Sequence, residues 1–222
     1  MNQRLQHAFE NEQVPHDLEA RVRARLAAST PGARWAGWRT ALAGVTVLAV
    51  MAGFWQYIAH KRLDELLRVG LNDHLHCGIA GGYPHMKQRL EMTAGLGQEF
   101  APMLQPVIDR AADGRATPEA VESAHRCTVN GRAYVHIILR RGGTLISVIV
   151  TRRKAGEAFP RTLAARLIRA SGVELHQESL EGYAVSGFDS GRWLGYVVSG
   201  LPAAENEALA VRLAPVVRRF AL

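Results

Sequence analysis

The sequence predicts an α+β protein with one membrane-spanning helix. Three observations lead to this class. The 20 residues Thr40–Ala59 carry no charge. From Glu122 onward, the period of the apolar residues changes from about 3.6, as in a helix, to about 2, as in a strand. Turn dipeptides separate these strand-like segments. Helices followed by antiparallel hairpins and a closing helix are typical of an α+β domain.

Composition excludes two other classes of protein. The chain has 222 residues, of which 48% are hydrophobic and 21% are charged, and its formal net charge is +7. This balance excludes a wholly disordered chain. The two cysteines, Cys77 and Cys127, are too few for a disulfide-dense secreted scaffold.

Residues 1–39 are predicted to be a short cytoplasmic segment. Leu18, Val22 and Leu26 follow one another at i, i+4 and i+8, which places them on one stripe of a helix. The helix is expected to begin near Asp17 and to stop before Pro31. Such a stripe fits a helix that rests on the lipid surface, and it fits equally a helix that docks on a cytoplasmic partner.

Residues 40–59 are predicted to be the transmembrane helix. At 1.5 Å per residue this stretch spans about 30 Å, the thickness of the hydrocarbon core of a bilayer. A buried core helix is the alternative, but core helices rarely run this long without a charge. Six arginines precede the span, and only Lys61, Arg62 and Arg68 follow it closely. The positive-inside rule therefore predicts a single-pass protein of the bacterial inner membrane, with residues 60–222 in the periplasm.

The exported part, residues 60–222, is expected to fold as one domain. Apolar spacing and turn residues predict its elements in order: a helix over 62–69, helical structure over 86–112 with a break near Gly95–Gly97, strands over 122–129, 132–141 and 144–152, a helix over about 160–171, strands over 173–178, 181–188 and 192–199, and a closing helix over 203–220.

The most informative stretch surrounds the dipeptide Asn130-Gly131. Asn-Gly between two strand-like runs predicts a two-residue type I′ hairpin. In that register Cys127 lies opposite Tyr134, and His125 lies opposite His136. Side chains alternate between the two faces of a strand, so all four lie on one face. Directly opposed Cβ atoms are about 5 Å apart, which places two imidazoles and a thiol within reach of one ion.

A second hairpin turn, Gly142-Gly143, supports this register. It pairs Ile137 with Val148, and their face of the sheet is strongly apolar and forms the expected core side. The opposite face, which carries His136, is mixed and needs a cover. We expect the segment that carries His74, His76 and Cys77 to provide it.

Three interpretations of this histidine and cysteine face compete. Cys77 and Cys127 could form a structural disulfide, because the periplasm is oxidising. The face could instead bind a transition metal, since imidazole and thiolate suit Zn or Cu. The two thiols could also act as a redox switch. The candidate metal ligands are His74, His76, Cys77, His125, Cys127 and His136, although each histidine could simply be a hydrogen-bonded sheet residue.

Several other functions lack support in the sequence. The motifs of serine hydrolases, zinc proteases, haem attachment, dinucleotide binding and phosphate loops are absent, which favours a protein without catalysis. The sequence points to no small-molecule substrate. A periplasmic domain does not meet nucleic acid, so the arginines at the hairpin ends are expected to form a solvated rim.

The layout resembles a single-pass bacterial transmembrane anti-sigma factor or a related envelope regulator. The resemblance consists of the helix with Leu18, Val22 and Leu26, the span Thr40–Ala59, and a closing pattern Gly191–Pro202 that is followed by a helix. It implies a periplasmic sensor domain and a cytoplasmic partner such as a sigma factor. Residues 1–39 contain no cysteine, so the zinc motif of zinc-binding anti-sigma factors is missing.

Two hypotheses about function follow. The first is a membrane-anchored regulator whose periplasmic domain senses redox state or metal through the cysteine and histidine face. The second is a membrane-tethered metal-binding or redox accessory protein, or an enzyme of that kind, whose exported domain binds Zn or Cu.

Overall fold

The fold is of the mixed α+β class. The computed structural model describes residues 17–28, 31–81, 89–112, 120–160, 166–170 and 172–220. The chain divides into two compact units, residues 1–53 and 54–222. The helices are α1 (Leu18–Ala28), α2 (Pro31–Asp73), α3 (Arg89–Phe100), α4 (Leu104–Ala112) and α5 (Ala203–Phe220). The strands are β1 (Ala120–Val129), β2 (Arg132–Arg141), β3 (Thr144–Arg152), β4 (Arg166–Ala170), β5 (Val173–Leu180), β6 (Tyr183–Ser190) and β7 (Trp193–Ser199).

Helix α1 has the apolar stripe that the sequence predicts. It spans Leu18–Ala28, and ion pairs one turn apart, such as Arg21 with Asp17, support it. Leu18, Val22 and Leu26 are all exposed, so the stripe is uncovered within the described residues. Whether it meets lipid or a partner stays a prediction.

Helix α2 contains the predicted span. Of the helices in the described part of the chain, the one that includes Leu42–Ile79 is long and apolar enough to cross a membrane. Only 6% of its most apolar window is buried, whereas the core helix of a soluble protein is mostly buried. Charged residues begin again at Lys61, and from Leu63 onward the same helix packs against the sheet.

The seven strands form one antiparallel sheet in the order β1-β2-β3-β7-β6-β5-β4. Successive strands pair as hairpins within β1–β3 and within β4–β7, and the pairing of β3 with β7 joins these two halves. The predicted registers are confirmed: His125 pairs with His136, Cys127 with Tyr134, and Ile137 with Val148.

Both faces of the sheet are covered, each by different helices. Helices α3, α4 and α5 pack on the face that carries Val135, Ile137 and Val148, as the alternation predicts. The end of α2 packs on the other face through four leucines, Leu63, Leu66, Leu67 and Leu71, which meet Ile149, Val185, Tyr196 and Val198. The helix that leaves the candidate span is therefore part of the second core.

Most element boundaries agree with the sequence, and one prediction is wrong. The helical stretch 86–112 does break where expected, because Gly97 adopts a positive φ of 73°. Residues 86–88 of that stretch lie outside the described residues.

The helix expected over 160–171 is contradicted over Arg166–Ala170, which forms the edge strand β4 and pairs with β5. A short apolar run fits either period, and pairing with β5 makes this segment a strand. Residues 161–165 and 171 lie outside the described residues.

Helix α5 is fixed to the sheet by a buried asparagine, which gives a first testable prediction. The Asn206 amide donates to Ser186 Oγ at 3.0 Å and accepts from Ser199 Oγ at 2.7 Å. Asn206→Ala removes one buried partner from each of these hydroxyls, so we expect the free energy of unfolding to fall by about 1–3 kcal/mol. Denaturant unfolding measures the change. The control Ala204→Ser alters an exposed position of the same helix, and an equal loss in both variants would contradict the prediction.

Candidate metal centre

The β1–β2 hairpin supplies three of the four side chains in this site. Asn130 and Gly131 both have positive φ, 50° and 71°, which is the geometry of the predicted type I′ turn. The resulting register puts His125 opposite His136, with ring centroids 5.5 Å apart. Cys127 lies two residues along β1 on the same face.

The fourth side chain comes from the end of α2. After Asp73 the backbone widens into a π-helical turn, His74–Ile79, in which the amide of Ala80 donates to Leu75 O at 2.9 Å. Turns of this kind are rare and are often found at functional sites. This one packs against β3, because a Cβ on Gly78 would lie 3.3 Å from Ser147 Oγ. Cys77 is fully buried in the turn and faces the hairpin.

The four residues Cys77, His125, Cys127 and His136 form a group that could hold a metal ion. One potential ligand atom from each lies within 4.8 Å of the others. In tetrahedral zinc sites, bond lengths of about 2.0–2.3 Å place neighbouring ligand atoms about 3.3–3.8 Å apart. The group therefore needs to contract by at most about 1.5 Å to enclose an ion. Two thiolates and two imidazoles are also a ligand set found in structural zinc sites.

Two further side chains orient the imidazoles. His136 Nδ1 lies 3.1 Å from Asp73 Oδ2, and His125 Nδ1 lies 3.1 Å from Ser123 Oγ. Histidines that bind metals usually engage the second ring nitrogen in this way, which fixes the tautomer and the ring orientation. Both ring nitrogens of His136 and Asp73 Oδ2 are buried without a hydrogen bond of good geometry among the described residues, so the Asp73 contact is a close approach of the two groups. His136 Nε2 is thus a potential ligand atom without a hydrogen bond to the described part of the chain.

Asp73 also contacts the second cysteine. The Cys127 thiol donates to Asp73 Oδ1 at 3.1 Å, and the Asp73 carboxylate is completely buried. One carboxylate therefore touches two of the four potential ligands. An isolated buried carboxylate is costly, so its contacts with His136 and Cys127 are needed to keep it there.

The charges in the cluster favour a metal-binding state of Cys77. The neighbouring Cys127 thiol lowers the pKa of Cys77 and, with both imidazoles, outweighs the opposite effect of burial. The Cys77 thiolate, burial and the Asp73 carboxylate raise the pKa of Cys127. Burial alone would lower the pKa of His136, but the Asp73 carboxylate and the Cys77 thiolate raise it. A cation placed between these groups would relieve this crowding of negative charge.

The structure does not bring all six predicted ligands together. His74 lies apart, with Nδ1 2.6 Å from Ser147 Oγ and its ring against Tyr183. Burial, with a smaller effect of His136, lowers the pKa of His74 to about 4. His76 is exposed on the other side of the turn. The two are therefore a polar core residue and a surface residue in this structure.

The two sulfurs are not bonded to each other in this structure, although they lie within 4.8 Å. The disulfide and the redox switch stay predictions. Sequence reasoning missed Asp73 and Ser123, and each had a usable signal. Asp73 precedes Cys77 by four residues on a helical stretch, and Ser123 precedes His125 by two on a strand, so each shares a face with a predicted ligand.

Comparison of the chain with protein-family models and with curated proteins found no match to either.

Proposed function

We propose that this chain is a membrane-anchored envelope regulator whose sheet domain binds one transition metal ion. Cys77, His125, Cys127 and His136 would be the ligands. The observation that carries the proposal is their origin and proximity: three come from a sheet hairpin, one comes from the helix that continues the candidate span, and all four lie within 4.8 Å. A bound ion would therefore link the anchor helix to the sheet, and its loss would release that link.

Zinc suits this ligand set best, with copper(I) as the second ion. A closed tetrahedral site of two cysteines and two histidines is typical of zinc bound for structural purposes. Copper(I) also prefers soft thiolate ligands and accepts imidazole. In either case the ion supplies positive charge that holds the Cys77 and Cys127 thiolates together. The protein supplies the orientation of both imidazoles through Asp73 and Ser123.

The proposed topology is that of the anti-sigma-like regulators that the layout resembles. Residues 1–39 would lie in the cytoplasm, residues 40–59 would cross the inner membrane, and residues 60–222 would lie in the periplasm. The arginines before the span support this orientation. The exposed stripe of α1, Leu18, Val22 and Leu26, would then face the cytoplasm, where it could dock on a sigma factor or another regulator.

Metal analysis of the full chain tests the proposal. The protein, purified in detergent and reduced, is freed of metal and titrated separately with Zn²⁺ and with Cu⁺. We expect one ion per chain, bound by the wild type and lost in Cys77→Ser and His136→Ala. His76→Ala is the matched control, because His76 neighbours Cys77 in sequence but is exposed. It should bind as the wild type does.

The remaining outcomes separate metal binding from its competitors. Circular dichroism of each variant without metal shows whether the fold is intact, so that a lost site is not confused with an unfolded chain. Wild-type protein that binds neither ion and has no free thiol before reduction would favour the disulfide and contradict the metal centre. Binding of an ion to every variant, His136→Ala included, would also contradict it.

A redox accessory protein is the second candidate. The proximity of the two sulfurs and the lowered pKa of Cys77 favour it, because the thiolate is the nucleophile in disulfide exchange. Reversible loss of both thiols in a glutathione buffer, without metal binding, would support this function instead.

A further inference from the structure

A cavity lies on the face of the sheet opposite to the cysteine and histidine cluster. Its volume is about 310 Å³, and Arg126, Arg152, Arg192, Trp193 and Phe100 are among the residues that line it. Arg126 lies between His125 and Cys127 on β1, so its side chain points to the other face. This cavity is therefore separate from the proposed metal centre, and binding of a ligand in it does not require a metal ion.

The cavity exists because the helical cover ends before the strands do. Helix α3 ends at Phe100, whose ring meets that of Trp193 edge to face at 5.1 Å. Beyond this contact, β3 continues to Arg152, which pairs with Trp193 across the sheet. Val135 and Val150 lie beneath it as an apolar floor, and their exposed fractions are 3% and 0%.

Three arginines from three separate segments line this cavity, and all three are exposed. Arg126 comes from β1, Arg152 from the end of β3, and Arg192 from the β6–β7 turn. Nowhere in the described ranges does a carboxylate form an ion pair with any of them. Glu99 is the one acidic residue among the lining residues. Three positive charges against one negative charge favour an anionic ligand.

The ring of Trp193 adds a second, independent indication. The side chain is partly exposed, although its Nε1 is buried without a hydrogen-bond acceptor in the described part of the chain. Arg192 lies over the Trp193 ring, with its Cζ 5.9 Å from the ring centroid. An anion bound by this arginine would also be near the indole.

We propose that this cavity binds a small organic anion, in which a carboxylate or a phosphate is attached to a flat apolar body. Guanidinium groups bind both oxyanions through paired hydrogen bonds. The valine floor and the two aromatic rings suit the apolar part. Small-molecule sites typically have volumes of about 300–1,000 Å³, and this cavity lies at the lower end of that range.

Fluorine NMR of the full chain in detergent tests this proposal. The probes are 4-fluorobenzoate, 4-fluorophenyl phosphate and the neutral 4-fluorobenzyl alcohol. We expect both anions to bind saturably and to compete with each other, and the alcohol not to bind. Arg126→Gln and Arg152→Gln should each weaken binding about tenfold, because each removes a charge-assisted hydrogen bond. Whichever anion binds more tightly identifies the carboxylate or the phosphate as the preferred group.

Arg153→Gln is the matched control. Arg153 neighbours Arg152 but lies near Asp189 at 3.6 Å, away from the cavity. It should bind both probes as the wild type does. Absence of saturable binding, or equal weakening in Arg153→Gln, would overturn the proposal. The role of the apolar floor would be overturned if inorganic phosphate and 4-fluorophenyl phosphate displaced 4-fluorobenzoate equally well.

Discussion

Gly70→Ala is expected to destabilise the sheet domain by about 2 kcal/mol. A Cβ at this position would lie 2.5 Å from Cγ of Tyr196 and 2.6 Å from its Cδ1. Tyr196 is fully buried, and Phe159 packs against its ring with centroids 6.0 Å apart, so the ring has no free space to move into. Overpacking of a dense core typically costs about 1–3 kcal/mol. The contact lies where α2 meets the sheet, so the loss weakens that attachment.

Gly53→Ala in the same helix is the control for this prediction. A Cβ on Gly53 would have no atom within 4 Å. Replacement of glycine by alanine inside a helix by itself favours the helix by about 1 kcal/mol. The control therefore measures the gain in helix propensity that partly offsets the clash at Gly70. Unfolding of the full chain in detergent, followed by circular dichroism, gives both values. Equal stability of the two variants would show that the helix does not pack on Tyr196 as described.

The second large effect is expected from Asp73→Asn, which should weaken metal binding about 10–100-fold while one ion per chain still binds. The substitution keeps the size of the side chain and removes the charge that faces His136 Nδ1 at 3.1 Å. Loss of such an outer contact to a metal ligand typically reduces affinity by about this factor. Competition titration with a zinc chelator measures it. This prediction rests on the proposed function.

Asp64→Asn provides the comparison on the same helix. Asp64 pairs with Arg68 at 2.9 Å and is not in the cluster. Because this partly exposed pair contacts none of the four potential ligands, zinc affinity should stay at the wild-type value. An unchanged affinity in Asp73→Asn would show that Asp73 does not orient His136. The complete loss of the ion in Asp73→Asn would instead identify Asp73 as a ligand itself.

Part of the cysteine and histidine cluster could be predicted from rules that relate residues close together in sequence. The Asn130-Gly131 turn and strand alternation are enough to place His125, Cys127 and His136 on one face, and the structure confirms that register. Both rules act between neighbours in sequence, so they can be read without knowledge of the fold. The same rules failed for Arg166–Ala170, because the pairing of that edge strand depends on β5 and not on its own residues.

Proximity between distant segments depended on tertiary packing. Cys77 is 50 residues from Cys127 in sequence, and no spacing rule relates them. The four leucines of α2 dock the helix on the sheet, and the π-helical turn then directs Cys77 toward the hairpin and His74 toward Ser147. The same packing buried Asp73 beside His136 and left His76 in solvent.

The sequence by itself determined the α+β class, the uncharged span and the pairing of the hairpins, because each depends on the order of residues along one segment. Tertiary structure alone decided which of the six predicted ligands meet, and which side chains orient them. It also decided that three arginines surround one cavity. These facts depend on how an apolar helix face fits an apolar sheet face, and that fit is a property of the two surfaces together.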